Sequence, residues 1–298
     1  MCAVSRRRLP KILFPTPKSG TPVNLLTVRI TVFLLSFFPV GLCAQTMCKS
    51  LVCPDVFRQV GNQGRDRIFT DFGNLYNHDN AKNFGLALLG AGMVANTKMD
   101  TNFQNWYQNH AHSDSLNDFS SFSKFFGEGQ FFIPIMATSA LTYRVLQEKR
   151  AVSDCTLGNF TDRTFRGYLV GAPALLSFQS LLGAGRPSGG TSRWQPFRRH
   201  NAVSGHAFVG AIPFMTAAQM TDKPVVKGLF YTLSTFCAWS RVNDDAHYLS
   251  QAVLGWYLAY LSVRAVSETE SRIPLPRGLT IFPVSTTDMV GMGVHYHY

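Results

Sequence analysis

Two histidines in the C-terminal half of the chain lie in short segments that also contain serine, glycine or arginine. His206 follows Ser204 and Gly205 in "NAVSGHAF", residues 201–208, at the start of an apolar stretch. His247 follows Arg241 after five intervening residues, again just before an apolar stretch. Imidazole titrates near neutral pH and serves as a nucleophile, an acid or a base. The two segments therefore predict one catalytic site, supplied by the starts of two helices.

A third segment, "GAGRPSGG", contributes Arg186 and completes a set of groups suited to phosphate. The guanidinium groups of Arg186 and Arg241 can each bind phosphoryl oxygens through two parallel hydrogen bonds. Ser204 and Gly205 present a hydroxyl and backbone N–H groups at a helix N-terminus, where the helix dipole favours an anion. One histidine can then attack phosphorus while the other protonates the departing oxygen. This chemistry predicts a site that needs no metal and no other cofactor.

The order Arg-Pro, Ser-Gly-His and Ser-Arg-x5-His resembles the three-part signature of the type 2 phosphatidic acid phosphatase and vanadium haloperoxidase superfamily, which includes bacterial non-specific acid phosphatases. The resemblance covers about residues 80–265 and is sharpest over 179–255. It implies an all-α fold, a compact bundle of about six helices with the motifs at one end. It also implies that His247 forms a phosphohistidine, that His206 is the general acid, and that phosphate is bound by Arg186, Ser204, Gly205 and Arg241.

Two positions depart from that signature, and both lose a charge. Gln179 stands where the family has a lysine, so the site lacks one cation unless an arginine of the following loop, Arg193, Arg198 or Arg199, replaces it. Gln251 stands where the family has an aspartate that accepts a hydrogen bond from the nucleophilic imidazole. An amide oxygen can orient the ring, but it stabilises the imidazolium less than a carboxylate does. These changes predict an impaired rate.

The favoured function is hydrolysis of a phosphomonoester, with a phosphorylated small molecule or a lipid phosphate as the substrate. A different class of function stays open: a non-catalytic envelope protein that binds phosphate or lipid headgroups in the same pocket. The third alternative is a vanadium haloperoxidase. Gln179 argues against it, because the enzymes that this site resembles rely on the missing lysine to hold vanadate.

The N-terminus predicts export. Six of the positive charges precede Gln45 with no acidic residue among them, and the segment 30–45 that follows them contains an apolar run and a small residue, Ala44. This pattern is typical of a signal peptide over residues 1–44, with an uncleaved anchor as the alternative. Either one predicts a protein of the cell envelope, in the periplasm or attached to the membrane. The net charge of the chain is +11, and about +5 remains when these six residues are left out. This remaining charge is too diffuse to indicate a nucleic-acid-binding surface.

Periodicity predicts a helical domain over 80–268 after an N-terminal extension, 45–79, and before a C-terminal tail, 269–298, expected to be extended or an edge strand. The runs 167–185 and 201–221 lack Asp, Glu, Lys and Arg, but their Pro, Gln and Gly content favours core helices over membrane spans. Helices are expected over 82–97, 129–148, 164–184, 205–220, 225–240 and 246–265, and long polar connections over 100–127 and 185–203.

The cysteines and the remaining histidines give weaker signals. Cys48 pairs with Cys53, or one of them pairs with Cys155, in an oxidising compartment. Cys237 lies in an apolar stretch and is expected to be a packed thiol. His110 and His112 have a spacing that metals use, but without further ligands a polar surface loop is the favoured interpretation.

Overall fold

A computed structural model describes residues 54–148, 155–272, 278–285 and 290–297, with side chains over 64–148 and 155–271. This part of the chain contains nine α-helices and one β-hairpin. The all-α fold class is therefore confirmed. The helices are α1 (Pro54–Leu75), α2 (His78–Asn96), α3 (Met99–His110), α4 (Asp114–Phe125), α5 (Gly129–Glu148), α6 (Thr156–Leu182), α7 (Gly205–Gln219), α8 (Pro224–Asn243) and α9 (Leu249–Arg272).

Helix α7 is the centre of the bundle, and its sequence explains why. It contains no charged residue, and most of its side chains are buried, including Phe208, Ile212 and Met215. Helices α6, α8 and α9 pack around it, and α9 also contacts α1 and α2. The charge-free runs are thus core helices of the bundle. Among the described helices none is long and apolar enough to cross a membrane.

The six predicted helices are present as α2 and α5–α9, but the expected polar connection 100–127 was wrong. That region forms α3 and α4. Their inward faces carry polar residues such as Asp100, Gln104 and Ser120, which are buried against other helices. A buried polar face has no apolar periodicity, so the pattern looked like a loop. Helix α1, which falls in the predicted extension 45–79, also packs in the bundle against α9 and α6.

A buried ionic cluster joins the N-terminal helix to the rest of the bundle. Arg166 of α6, 1% exposed, donates two hydrogen bonds of 2.7 Å to the carboxylate of Asp71 on α1. It also contacts Asp162 on its own helix and Glu270 at the end of α9. Buried charges are tolerated when they are paired and hydrogen-bonded in this way.

The tail differs from the single strand or extended segment that was expected. Strands β1 (Gly278–Ser285) and β2 (Val290–His297) pair antiparallel with each other, with Gly278 opposite His297 and Ser285 opposite Val290. The prolines before and within β1 made its β-branched residues look unlike a strand in the sequence. The signal segment 1–44, Cys48 and Cys53 lie outside the described residues, so export and a Cys48–Cys53 bridge stay predictions.

Cys155 and Cys237 are free thiols in the described part of the chain. The alternative partners of Cys155, which are Cys48 and Cys53, lie outside the described residues, so that pairing also stays a prediction. Cys237 is buried, which confirms the packed thiol. Its Sγ lies 3.1 Å from the backbone carbonyl of His206, so it packs directly beneath the segment that carries this histidine.

Candidate active site

The Ser-Gly-His segment begins helix α7. Ser204 is the N-cap, and its hydroxyl accepts a hydrogen bond of 3.3 Å from the N–H of Ala207. Gly205 and His206 are the first two helical residues, so their backbone N–H groups have no carbonyl partner within the helix. The N–H of Ser204 donates to the carbonyl of Gln251 at 3.0 Å, which attaches this helix start to α9. The geometry is that of an anion-binding helix N-terminus.

Arg241 and His247 are joined by a closed turn between α8 and α9. The N–H groups of Ala246 and His247 donate to the carbonyl of Arg241 at 3.0 and 3.1 Å. Within this turn Asp245 adopts a left-handed backbone with φ +51°, which is unfavourable for a residue with a Cβ. The turn thus holds the arginine and the histidine at a fixed separation.

The tautomer of His247 follows from the residues around Gln251. The amide oxygen of Gln251 accepts from the N–H of Tyr248 at 3.3 Å, and its nitrogen donates to the carbonyl of Gly185 at 2.6 Å. These two backbone groups fix which end of the amide faces the imidazole. The oxygen lies 2.9 Å from His247 Nδ1, so Nδ1 carries the proton and the lone pair is on Nε2. This is the tautomer that a nucleophilic Nε2 requires.

The electrostatics of the site keep both histidines neutral to lower pH than usual. Burial is the main cause, and it lowers the pKa of His247 to about 4, with Arg241, Arg186 and His206 adding to the effect. Burial and the charge of Arg241 also lower the pKa of His206, whereas Glu128 opposes them. The charges of both arginines of the predicted phosphate site therefore act on each histidine. These four predicted residues share one electrostatic environment.

Arg241 has hydrogen-bonding capacity to spare. Its Nη1 donates to Asp244 at 3.2 Å, while its buried Nε has no hydrogen-bond partner among the described residues. A buried donor without a partner costs about 1–3 kcal/mol. This donor is available to a bound anion.

Arg186 lies on the exposed loop between α6 and α7. Its Nε donates to Asn201 at 2.9 Å, which ties the two ends of the loop together. Arg199 folds back onto the same turn: a Cβ added at Gly189 would lie 2.6 Å from Arg199 Nη1. Arg199, one of the three loop arginines considered as replacements for the missing cation, therefore packs against the Arg186 turn.

Gln179 supplies no positive charge to the site. Its amide nitrogen donates to the carbonyl of Val203 at 2.9 Å, directly before the Ser-Gly-His segment. It therefore holds the loop end in place. Sequence reasoning gave this position the role of a lost phosphate ligand, and only the fold reveals the new hydrogen bond.

Two charged residues near the site were missed. Glu128, between α4 and α5, has its Oε1 3.9 Å from His206 Nε2. The charge of Lys124, in the last turn of α4, also acts on His206. Gly127 permits this approach, because a Cβ there would lie 2.7 Å from the carbonyl of His206. In the sequence Glu128 directly precedes an apolar helix, a position that a helix-dipole role alone explains.

The other histidines make local contacts. His110 Nδ1 lies 3.0 Å from the carbonyl of Trp106, and His112 Nε2 lies 3.0 Å from Asn117 Oδ1. Both are in or next to helices, where a surface loop was expected. Among the described residues no group of three or more His, Cys, Asp or Glu side chains is arranged to hold a metal ion.

Comparison with known protein families gives a match in the C-terminal half of the chain. The family model described as the PAP2 superfamily matches residues 152–273, a range that contains helices α6–α9 and every predicted site residue. No curated protein and no solved structure matches the chain.

Proposed function

We propose that this chain, whose residues 152–273 match the PAP2 superfamily model, is a phosphatase that hydrolyses phosphomonoesters through a phosphohistidine on His247. The observation that carries the proposal is the pairing of two neighbouring groups. His247 has Nδ1 committed to Gln251, which leaves Nε2 as the free lone pair. Arg241, six positions before it in sequence, keeps a buried Nε without a partner among the described residues.

The reaction proceeds in two displacements. In the first, His247 Nε2 forms a bond to phosphorus while the bond from phosphorus to the alcohol oxygen breaks, and His206 donates its proton to that oxygen. In the second, His206 accepts a proton from water as the water oxygen attacks phosphorus, and the phosphorus–nitrogen bond breaks. Arg186, Arg241 and the N–H groups at the start of α7 stabilise the charge on the phosphoryl oxygens.

Gln251 supports this cycle less strongly than a carboxylate would. It fixes the tautomer of His247, but it does not neutralise the imidazolium-like charge that develops when Nε2 is bonded to phosphorus. We therefore propose slow turnover. The substrate is a phosphorylated small molecule or a lipid phosphate, and the export pattern of residues 1–44 supports action in the cell envelope.

The test is turnover of p-nitrophenyl phosphate by the purified full chain, with and without EDTA. We expect weak activity that survives chelation and is inhibited by vanadate, which resembles the pentacoordinate transition state. His247→Ala should abolish turnover, whereas His110→Ala, an exposed histidine with a local contact, should not change it. Activity lost on chelation, or retained in His247→Ala, would contradict the mechanism.

The same assay separates the non-catalytic alternative. Folded wild-type protein that binds vanadate or phosphate but has no turnover would favour a binding protein that uses the same pocket. Parallel assays with phosphatidate in mixed micelles and with soluble aryl phosphate would distinguish a lipid phosphate from a small-molecule substrate.

A further inference from the structure

Helices α3 and α4 precede the PAP2 match, yet their buried polar side chains converge on the segment that carries Arg241 and His247. We propose that Asp100, Gln104 and Ser120 on these helices are positioning residues that hold the catalytic turn 241–250 in its working geometry. The inference rests on the proposed function and deepens it. It assigns part of the catalytic architecture to a region outside residues 152–273.

Asp100 holds the first turn of α9. Its carboxylate is fully buried and accepts hydrogen bonds from the N–H of Ser250 at 3.1 Å and from the Ser250 hydroxyl at 2.5 Å. N–H groups in the first turn of a helix lack intrahelical partners, and a carboxylate satisfies them while favouring the helix dipole. Ser250 lies between His247 and Gln251 in sequence. Fixing this turn therefore fixes the hydrogen bond that sets the tautomer of His247.

Gln104 holds the strained part of the turn. Its amide nitrogen lies 2.7 Å from Asp245 Oδ1 and 3.0 Å from the carbonyl of Val242. Asp245 is the residue with left-handed backbone, a conformation that persists only where the surroundings impose it. The last carbonyls of α8 also lack partners within their helix, and Gln104 supplies one. Helix α3 therefore stabilises the bend between Arg241 and His247.

Ser120 acts on Arg241 through Asp244. The Ser120 hydroxyl donates to Asp244 Oδ1 at 2.5 Å, and the other oxygen of this carboxylate accepts from Arg241 Nη1 at 3.2 Å. Helix α4 thus orients the carboxylate that orients the guanidinium. The unpartnered Nε of Arg241 depends on this orientation for its direction.

A purely structural role would be expected to use apolar contacts or contacts spread along the helices. Instead, the three buried polar side chains all bond polar groups between Ser240 and Ser250. They act on separate groups: the start of α9, the strained turn and the partner of Arg241. Other buried polar residues bond elsewhere in the fold, and variants of these residues serve as matched controls.

The first comparison is between Asp100→Ala and Asn74→Ala in the full chain. Asn74 is also buried and also bonds across the core to α9, but at its other end, to Ala265 and Thr269. Both variants should lose stability. Only Asp100→Ala should lower kcat, by about tenfold or more, and shift the acid limb of the pH profile, because the geometry of His247 and Gln251 relaxes. Asp100→Asn, which keeps one acceptor for Ser250, should restore part of the rate.

The second comparison covers the case in which Asp100→Ala does not fold. Ser120→Ala and Ser123→Ala remove buried hydroxyls from the same helix, but among the described residues Ser123 bonds only the carbonyl of Phe119 on its own helix. We expect Ser120→Ala to weaken vanadate inhibition by about fivefold or more while Ser123→Ala leaves it unchanged.

The outcomes are distinct. Wild-type protein without turnover would overturn the proposed function. If the wild type turns over substrate but Ser120→Ala and Ser123→Ala have equal effects, the positioning role alone would be overturned. The same holds if Asp100→Ala and Asn74→Ala both fold and have equal effects on kcat.

Discussion

At the scale of single residues, His247 and Gln251 form a pair whose geometry is set by backbone groups of two other segments. Tyr248 and Gly185 fix the amide, and the amide fixes the imidazole. The family aspartate would supply a charge at this position but no donor for Gly185. The glutamine thus exchanges electrostatic support of the imidazolium for a hydrogen bond to the loop that carries Arg186.

The low pKa of His247 predicts an acidic optimum. The nucleophile must be neutral, so kcat/KM should fall as pH drops through about 4. The general acid must be protonated, and the pKa of His206 is lowered from its ordinary value near 6.5, so kcat/KM should also fall as pH rises through that lowered pKa. A pH–rate profile should be bell-shaped with its maximum between these limits. A maximum above pH 7 would contradict these roles.

Glu128 tests which histidine controls the alkaline limb. Its carboxylate raises the pKa of His206, so Glu128→Gln should move the alkaline limb to lower pH and leave the acid limb in place. Movement of the acid limb alone would assign the roles of the two histidines the other way round.

Gln251→Asp is expected to raise kcat, because its carboxylate neutralises the charge that develops on His247 when Nε2 is bonded to phosphorus. The gain has a structural cost: a carboxylate has no N–H group, so the Gly185 carbonyl loses its 2.6 Å donor. We expect a rise in kcat of about tenfold and a loss of about 1–3 kcal/mol in the free energy of unfolding, measured by steady-state kinetics and denaturant titration. A kcat at or below that of the wild type would mean that the lost contact outweighs the charge behind the imidazole.

At the scale of elements, the site depends on how closely α9 approaches the start of α7. Gly255 makes this approach possible, because a Cβ at this position would lie 2.3 Å from the carbonyl oxygen of Ser204. The two helices bring the Ser-Gly-His segment and Gln251 together through backbone contact. No side chain is small enough to replace the glycine without moving one of them.

Gly255→Ala should therefore separate α7 from α9. We expect a loss of about 1–3 kcal/mol in stability from overpacking, together with a lower kcat. The matched control is Gly228→Ala on α8, where an added Cβ meets nothing within 4 Å. That variant should be stabilised by about 0.5–1 kcal/mol through helix propensity. Thermal melts and turnover of both variants check the prediction; an unchanged Gly255→Ala would contradict the close packing.

At the scale of the whole molecule, the helices that precede the PAP2 match complete the bundle. Asp71 on α1 is the bidentate partner of Arg166 on α6, and Glu270 joins the same cluster from the end of α9. Without α1 the buried guanidinium would lose its best-aligned carboxylate. The matched segment therefore depends on the N-terminal helices for charge neutralisation as well as for apolar packing.

Asp71→Asn should cost about 3–5 kcal/mol in the free energy of unfolding, because it removes the negative charge opposite a buried guanidinium. The control, Asp66→Asn, removes an exposed charge from the same helix, where the pair with Arg65 is weak, and should leave stability unchanged. Denaturant titration of the two variants measures the difference. Equal stability would mean that Asp162 and Glu270 suffice for Arg166.

The sequence by itself determined the six helices that form most of the bundle and the candidate residues of the site. Both predictions depend on local patterns, because each signal involves only residues that are close together in sequence. Such signals are helix starts, apolar periodicity and short motifs such as Ser204-Gly205-His206. The two altered positions, Gln179 and Gln251, were visible for the same reason.

Only the tertiary structure decided how those residues are held. Asp100 and Ser250 are separated by 150 positions, Ser120 and Asp244 by 124, and Gln251 and Gly185 by 66. A buried polar residue that bonds across such a distance looks in sequence like an ordinary solvated side chain, which is why α3 and α4 were expected to be a loop. Helix packing brings the polar partners to the turn 241–250, and local sequence patterns do not predict which helices pack together.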